Sequence, residues 1–461
     1  MIGAGMSPTR TTGVDAPETI PLSLNHQFVD VFDHGDDDGP FGPRYHVVDA
    51  WRVTGAPIDV AALRDALQDV VTRHEALRTR IVGTTGNRHQ EISPPGPVRV
   101  EIRDLPETPE AARAARADEL RQEVEDETIG VDETPALRVV LGRFDDQDTV
   151  LVVMIHHIVS DGMSMEVVIR DLVNRYVART GQTVPDLPAA PQFREFADWQ
   201  RTGAGAGTEA KREYWRRKLD GGLFTALPTD IPRSANLPES TAAHWFRIPD
   251  DVFSTIDRLA RAHRATRFMV LVAMYKLLVH RRTGATDVVI ATFTPGRGGQ
   301  LFENTVGPLF NFLPLRTDLA GCASFGDLLK RTRTTCLEAF SHEMPTLEIF
   351  GQAPELMRTA ASDDHAAAVF QAVPDQRQYI EVPGEVKFGR IPRATGLQPR
   401  KSAVPDGALW TLTREPSGDA SVCLSFKRNL FREETIASMA ADFAEIARAF
   451  SASPDAPLGL A

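Results

Sequence analysis

The amino-acid sequence predicts a mixed α/β (α+β) protein of two lobes. Amphipathic helical periods and short apolar strand runs alternate through both halves of the 461-residue chain. A proline-rich break without periodicity separates the halves. No internal repeat points instead to a solenoid or array. With 42% hydrophobic and 25% charged residues, the chain has the balance of a globular protein with sizeable cores.

Residues 1–20 are expected to be a flexible leader, since they lack the apolar core behind a basic start that a secretory signal needs. Residues 58–71 carry Val60, Leu63, Leu67, Val70 and Val71 at helical spacing and lead through Arg73-His74-Glu75-Ala76-Leu77-Arg78 into a short strand. A charged, alanine-rich helix is expected over 110–127 and a strand over 137–144. The valine-rich run 149–155 reads as a central strand, because a strand covered on both faces has no polar alternation. After the turn Ser160-Asp161-Gly162, helical periodicity resumes over 165–176.

Pro185, Pro188 and Pro191 mark the break. The expected division is an N-terminal lobe over 21–180, an inter-lobe connection over 181–198 and a C-terminal lobe over 199–461. In the second lobe, helices are expected over 209–219, 325–340 and 433–450, one long helical region over 254–282, and strands over 287–294 and 421–426, with an apolar segment over 306–315. Residues 382–406, rich in Pro, Gly and basic side chains, read as a long loop.

Charge narrows the function. Sixty-three acidic against 51 basic residues give −12, a field that repels nucleic-acid phosphates and anionic lipid. No apolar run approaches the roughly 20 residues of a membrane helix, so the expectation is a cytoplasmic protein with no nucleic-acid or membrane partner. Cys322, Cys336 and Cys423 are odd in number and widely spaced, which suggests buried bystanders rather than disulfides or a metal site.

The densest polar cluster is His156-His157-Ile158-Val159-Ser160-Asp161-Gly162, at the end of the valine-rich strand. Successive strand side chains face opposite sides, so the two histidines should meet different environments and not share one metal ion. A neutral imidazole can accept a proton from a hydroxyl or amine, as general-base acyl transfer requires. Asp161, if it points inward, needs a cationic partner. Satisfied core histidines remain an equal reading of the pair taken alone.

In context, HHIVSDG matches the HHxxxDG signature of the condensation domains of nonribosomal peptide synthesis, and other segments follow that family's order. Ser23-Leu24-Asn25-His26-Gln27 loosely resembles its opening SxxQ motif. Arg73 to Thr79 matches RHExLRT, and Phe193-Arg194-Glu195-Phe196-Ala197-Asp198-Trp199 resembles YxDFAxW. Val306 to Arg316 resembles GxFVNTxxxR, and His342-Glu343-Met344-Pro345 resembles HQDxP. The family's last motif, RDxSRNPL, leaves only a trace over 357–370.

The resemblance implies two chloramphenicol-acetyltransferase-like lobes in a V-shaped condensation-domain fold. It implies that His157 orients or deprotonates the acceptor, or stabilises the tetrahedral intermediate, with His156, Asp161 and Gly162 completing the catalytic motif. His156 is expected to be mainly scaffold, Asp161 to pair with Arg297 of Pro295-Gly296-Arg297, Gly162 to keep the substrate passage clear, and Asn311 and Arg316 to support the lobe crossing. No bound cofactor or metal is implied. The donor is an acyl group, aminoacyl or β-aminoacyl, on the phosphopantetheine of a peptidyl carrier protein, and the acceptor is a small molecule.

No adenylation or carrier domain fits the remaining residues, so the chain resembles a free-standing condensation enzyme acting in trans. The segments Gly39 to His46, Phe310 to Ser324 and Arg331 to Cys336 are similar to those of the ester-forming condensation enzymes of enediyne antibiotic biosynthesis, which favours a hydroxyl over an amine acceptor. Alternatives are a coenzyme A-dependent acyltransferase of the same superfamily, an epimerisation domain, disfavoured because Met165 follows Ser164, and an inactive recruitment module, disfavoured by the intact signature. Arg212, Arg216, Arg217 and Lys218 form a basic cluster that reads as a solvated helix face or, less simply, as a carrier-docking patch.

Overall fold

The computed structural model describes residues 18–33, 35–105, 108–202, 207–373, 375–400, 407–415 and 417–458. The strand Asp148–His156 is buried at every residue. Its alternating side chains feed two cores. Leu151, Val153 and Ile155 pack with the helices Val60–Arg73 and Gly162–Arg179. Val150, Val152 and Met154 pack with Leu120 and Val124 of the helix Glu110–Glu125. This two-faced burial is why the run is apolar without alternation. Helix and sheet approach closely at Gly142, where a Cβ would lie 2.4 Å from Leu120 Cδ2.

That strand is central in a six-stranded sheet with the order Tyr379–Ile380, Lys387–Arg390, His46–Thr54, Asp148–His156, Leu137–Asp145, Arg99–Asp104. Only the last pair is parallel. A second sheet runs Asn311–Asp318, Asp287–Thr294, His365–Ala372, Gly407–Arg414, Ala420–Lys427, Thr241–Ile248, Gly396–Arg400, with Leu227–Pro228 beside His365–Ala372. Three short strands, Glu18–Pro21, His89–Ile92 and Thr79–Val82, form a third.

Four expectations need correction. Residues 254–282 are two helices, Asp250–Ala262 and Arg267–Thr283. Arg264 turns the chain at φ 50°, and the Thr266 hydroxyl caps the second helix by accepting from Met269 N. The stretch 382–406 is not one loop. Lys387–Arg390 pairs with His46–Thr54 and Gly396–Arg400 with Thr241–Ile248, while 401–406 lie outside the described residues. The expected lobe boundaries place 379–390 in the C-terminal lobe, yet their ladder bonds join the first sheet. Arg390 anchors this crossing, bonding Asp49 at 3.1 Å, pairing with Glu166 and lying 4.8 Å above the Trp51 ring. Of the leader, 1–17 lie outside the described residues, whereas Glu18–Pro21 pairs with His89–Ile92, so 18–20 are strand.

Within the connection 181–198, residues 181–192 form neither helix nor strand, and the helix Phe193–Thr202 begins inside it. Cys322, Cys336 and Cys423 are buried, and none of them forms a disulfide among the described residues. Among the described residues no helix is long and apolar enough to cross a membrane.

Candidate active site

The buried strand ends at His156, one tight turn covers His157–Val159, and the helix Gly162–Arg179 starts immediately afterwards. The His156 ring is used at both nitrogens. Nδ1 accepts the N–H of Ile158 at 3.1 Å, and Nε2 donates to the Gly42 carbonyl at 3.1 Å. Burial pushes its pKa down to about 3, so the ring is neutral with both nitrogens engaged by the backbone.

His157 differs. Within 156–161 it alone is partly exposed. Its Nδ1 bonds the Ser160 carbonyl at 2.9 Å, a contact that needs Nδ1–H and therefore puts the lone pair on Nε2. Its backbone N–H donates to the Tyr45 carbonyl at 2.8 Å, and the Tyr45 ring stacks on the imidazole at 4.7 Å with 10° between planes. Burial pushes the Tyr45 hydroxyl up to about 12, leaving a neutral phenol.

Asp161 caps the helix and turns inward. Its Oδ1 accepts from Ser164 N at 2.7 Å, Ser164 Oγ at 2.8 Å and Arg297 Nη2 at 2.6 Å, and its Oδ2 from Leu309 N at 3.1 Å. Arg297, 4% exposed, also donates through Nη1 to Phe302 O at 3.0 Å and Thr305 O at 2.6 Å. The Arg297 partnership expected for Asp161 is therefore a buried ion pair between the lobes. The preceding turn depends on Gly296, at φ 62°, where a Cβ would lie 1.8 Å from Leu309 O. Gly162 is exposed, and a Cβ there would meet no atom within 4 Å, so the space beside the motif is open.

Asn311 and Arg316 do not support the lobe crossing. Asn311 donates to Glu343 Oε1 and Met344 O, both at 3.0 Å, and accepts from Thr346 Oγ1 at 2.7 Å. Arg316 bonds Asp287 at 2.7 Å, Lys218 O at 3.2 Å and Asp220 O at 2.6 Å. All these partners belong to the C-terminal half, which satisfies both side chains locally.

Asn25 and Ser164 make the crossing instead. Asn25 Nδ2 donates to Pro308 O at 2.7 Å and Phe310 O at 2.6 Å, and Ser164 Oγ accepts from Gly307 N at 3.1 Å. The sequence signals were slight: Asn25 lies inside the opening motif, and Ser164 sits three residues after a helix-capping aspartate. Beside them His26 bonds the Ile158 carbonyl through Nε2 at 2.8 Å, and burial lowers its pKa to about 4.

The RHExLRT segment is framework. Arg73 Nε and His74 Nε2 each reach Asp171 at 2.9 Å on the helix that starts at Gly162. In the basic cluster, Arg212 bonds Glu348 at 2.6 Å, Arg216 bonds Gln352 at 3.1 Å, Lys218 bonds Glu338 at 3.1 Å, and Arg217 remains 73% exposed.

Comparison with known proteins agrees with this geometry. Residues 44–460 match the family model of the condensation domain. The chain is 30% identical over 456 residues to a linear gramicidin synthase of Brevibacillus parabrevis, covering 97% of this chain and 8% of that protein. It is 29% identical over 466 residues to the phosphinothricin tripeptide synthetase PhsB of Streptomyces viridochromogenes, covering 98% and 38%. It thus spans well under half the length of these relatives. Among solved structures, the SgcC5 protein of Streptomyces globisporus superposes with a TM-score of 0.90 at 46% identity, over 95% of this chain and 100% of that one. The condensation domain of the Monacolin K polyketide synthase MokA, at 20% identity, covers 96% and 99% with a TM-score of 0.76 and shows the same fold of two chloramphenicol-acetyltransferase-like lobes. The chain belongs to the condensation-domain family, acyltransferases of nonribosomal peptide synthesis that work on carrier-tethered substrates.

Proposed function

We propose that this chain is a free-standing condensation enzyme of natural-product biosynthesis that moves an aminoacyl or β-aminoacyl group from a carrier-protein phosphopantetheine thioester to a hydroxyl of a small-molecule acceptor, forming an ester. The observation that carries the reading is the contrast between the paired histidines. His156 is neutral, buried and used at both ring nitrogens, whereas His157 is partly exposed and held with its lone pair on Nε2. The acceptor oxygen attacks the thioester carbonyl carbon while His157 Nε2 takes the hydroxyl proton. The C–O bond forms, the C–S bond breaks, and the proton passes to the departing sulfur. The thioester is already activated, so no enzyme nucleophile is required. Positioning donor and acceptor together supplies much of the remaining acceleration.

A hydroxyl acceptor is favoured because SgcC5, at 46% identity, was crystallised with (R)-(-)-1-(2-naphthyl)-1,2-ethanediol, an aryl diol.

The test offers one β-aminoacyl group on a carrier protein and on coenzyme A, with an aryl diol and its amino-alcohol analogue, and reads products by mass. Carrier-dependent ester that falls about 10²–10⁴-fold in His157→Ala is the expected result. Turnover of the coenzyme A donor alone would reassign the chain as a coenzyme A acyltransferase. Carrier binding without turnover would make it a recruitment module.

A further inference from the structure

We propose that Tyr45 is the positioning residue for His157, its phenol ring fixing the plane in which the imidazole presents Nε2. The proposal rests on the reading of His157 as the group that handles the acceptor proton. The Nδ1 hydrogen bond to Ser160 O decides which nitrogen holds the lone pair, but it permits the ring plane to swing about that contact. A parallel ring at 4.7 Å, inclined by 10°, removes that freedom.

Tyr45 is itself held firmly. Its N–H donates to Gly42 O at 3.1 Å, and its carbonyl receives the His157 N–H at 2.8 Å. The turn behind it is closely packed, because a Cβ on Gly42 would lie 2.3 Å from Asp37 O. Pro43 O accepts from Ile129 N at 3.0 Å, and Arg88 covers the Phe41 ring at 3.9 Å. The segment 39–46 is thus one strap that grips both imidazoles: Gly42 O holds the His156 ring, and Tyr45 holds the backbone and ring of its neighbour.

The stack has an electrostatic consequence. When His157 takes the acceptor proton, the imidazolium faces the electron-rich π surface of a neutral phenol, a favourable arrangement. The phenol hydroxyl plays no part in this, so phenylalanine should replace tyrosine, whereas an aliphatic side chain of similar bulk should not.

The test compares the full chain carrying [15N]histidine with its Tyr45→Phe and Tyr45→Met variants, His157 being assigned through His157→Gln. Long-range proton–nitrogen correlation reads the tautomer and the ring-proton shifts. Wild type should show His157 as the Nδ1–H tautomer with ring protons displaced upfield by the phenol. Tyr45→Phe should keep both features and kcat within about twofold. Tyr45→Met should keep the tautomer that Ser160 O sets, lose the displacement and lower kcat about three- to tenfold, with the donor KM unchanged. His156, fixed by Gly42, is the internal control for folding. Should Tyr45→Met disturb His156 as well, the wild-type displacement decides. A wild-type His157 without the upfield displacement overturns the proposal, as does a folded Tyr45→Met with wild-type kcat or with only a raised KM. If His157→Gln is itself fully active, the reading of His157 fails, and the ring-proton shifts still report separately whether Tyr45 holds the ring.

Discussion

Arg297→Met would test the inter-lobe ion pair most directly. Methionine keeps the aliphatic stem and removes the guanidinium. Asp161 would retain Ser164 N, Ser164 Oγ and Leu309 N as donors but lose the cation at 2.6 Å, while Phe302 O and Thr305 O would each lose a donor. The two side chains are 3% and 10% exposed, so water screens little of the effect. Removing one partner of a buried pair costs about 3–5 kcal/mol, because the other charge is left uncompensated.

The decisive assay is a double-mutant cycle in urea, followed by tryptophan fluorescence. Asp161→Asn alone strands the guanidinium and should cost a similar amount. The double variant strands neither charge, so it should be more stable than the sum of the single losses by about 1–3 kcal/mol. A loss below about 1 kcal/mol for Arg297→Met, or additivity within about 0.5 kcal/mol, would show that the pair is energetically idle and refute the reasoning.

Two further outcomes follow from the same network. His156 and His26 titrate in the folded protein at about 3 and about 4, against 6.5 for the free side chain. Below pH 6.5 the unfolded chain therefore binds protons that the folded chain does not, so stability is full above that pH and falls as pH drops. At pH 5 the two together should cost ~4 kcal/mol, measured as a lower urea midpoint, and His156→Gln should halve the slope. A flat stability profile between pH 7 and 5 would contradict their burial as neutral rings. Gly296→Ala forces a side chain into left-handed backbone and onto Leu309 O, and should lower stability by more than ~2 kcal/mol. An equally stable alanine variant would mean that the turn before Arg297 can rearrange without strain.

The parts of this site that were legible in sequence are those whose causes are local. The strand Asp148–His156 announced itself because both faces are buried, which forces an unbroken apolar run. The abrupt switch to polar residues after Ile155 then marked the place where chemistry could start. What sequence could not supply is partnership at a distance. Arg297 lies 136 residues from Asp161, and only resemblance to a family connected them. Asn311 and Arg316 were attached to the crossing by the same route, and there the route failed, since Glu343 and Asp287 satisfy them within one lobe.

The stretch 382–406 shows why such failures are physical. The strands Lys387–Arg390 and Gly396–Arg400 have only four and five residues, with glycine or proline inside, and no period of their own. Their conformation is set by the edges they meet, His46–Thr54 in one sheet and Thr241–Ile248 in the other. A chain whose local preference is weak takes the structure of its partners, and here those partners lie in different sheets. The segment becomes strand for the same reason that it can join the lobes. Its anchor, Arg390 over Trp51 with Asp49 and Glu166 as counter-charges, ties that junction to the helix that begins at Gly162, the helix capped by Asp161 beside His157. The order of the inter-lobe strands and the order of the motif thus depend on one helix, which reads as a long amphipathic segment in sequence and shows its second role only in three dimensions.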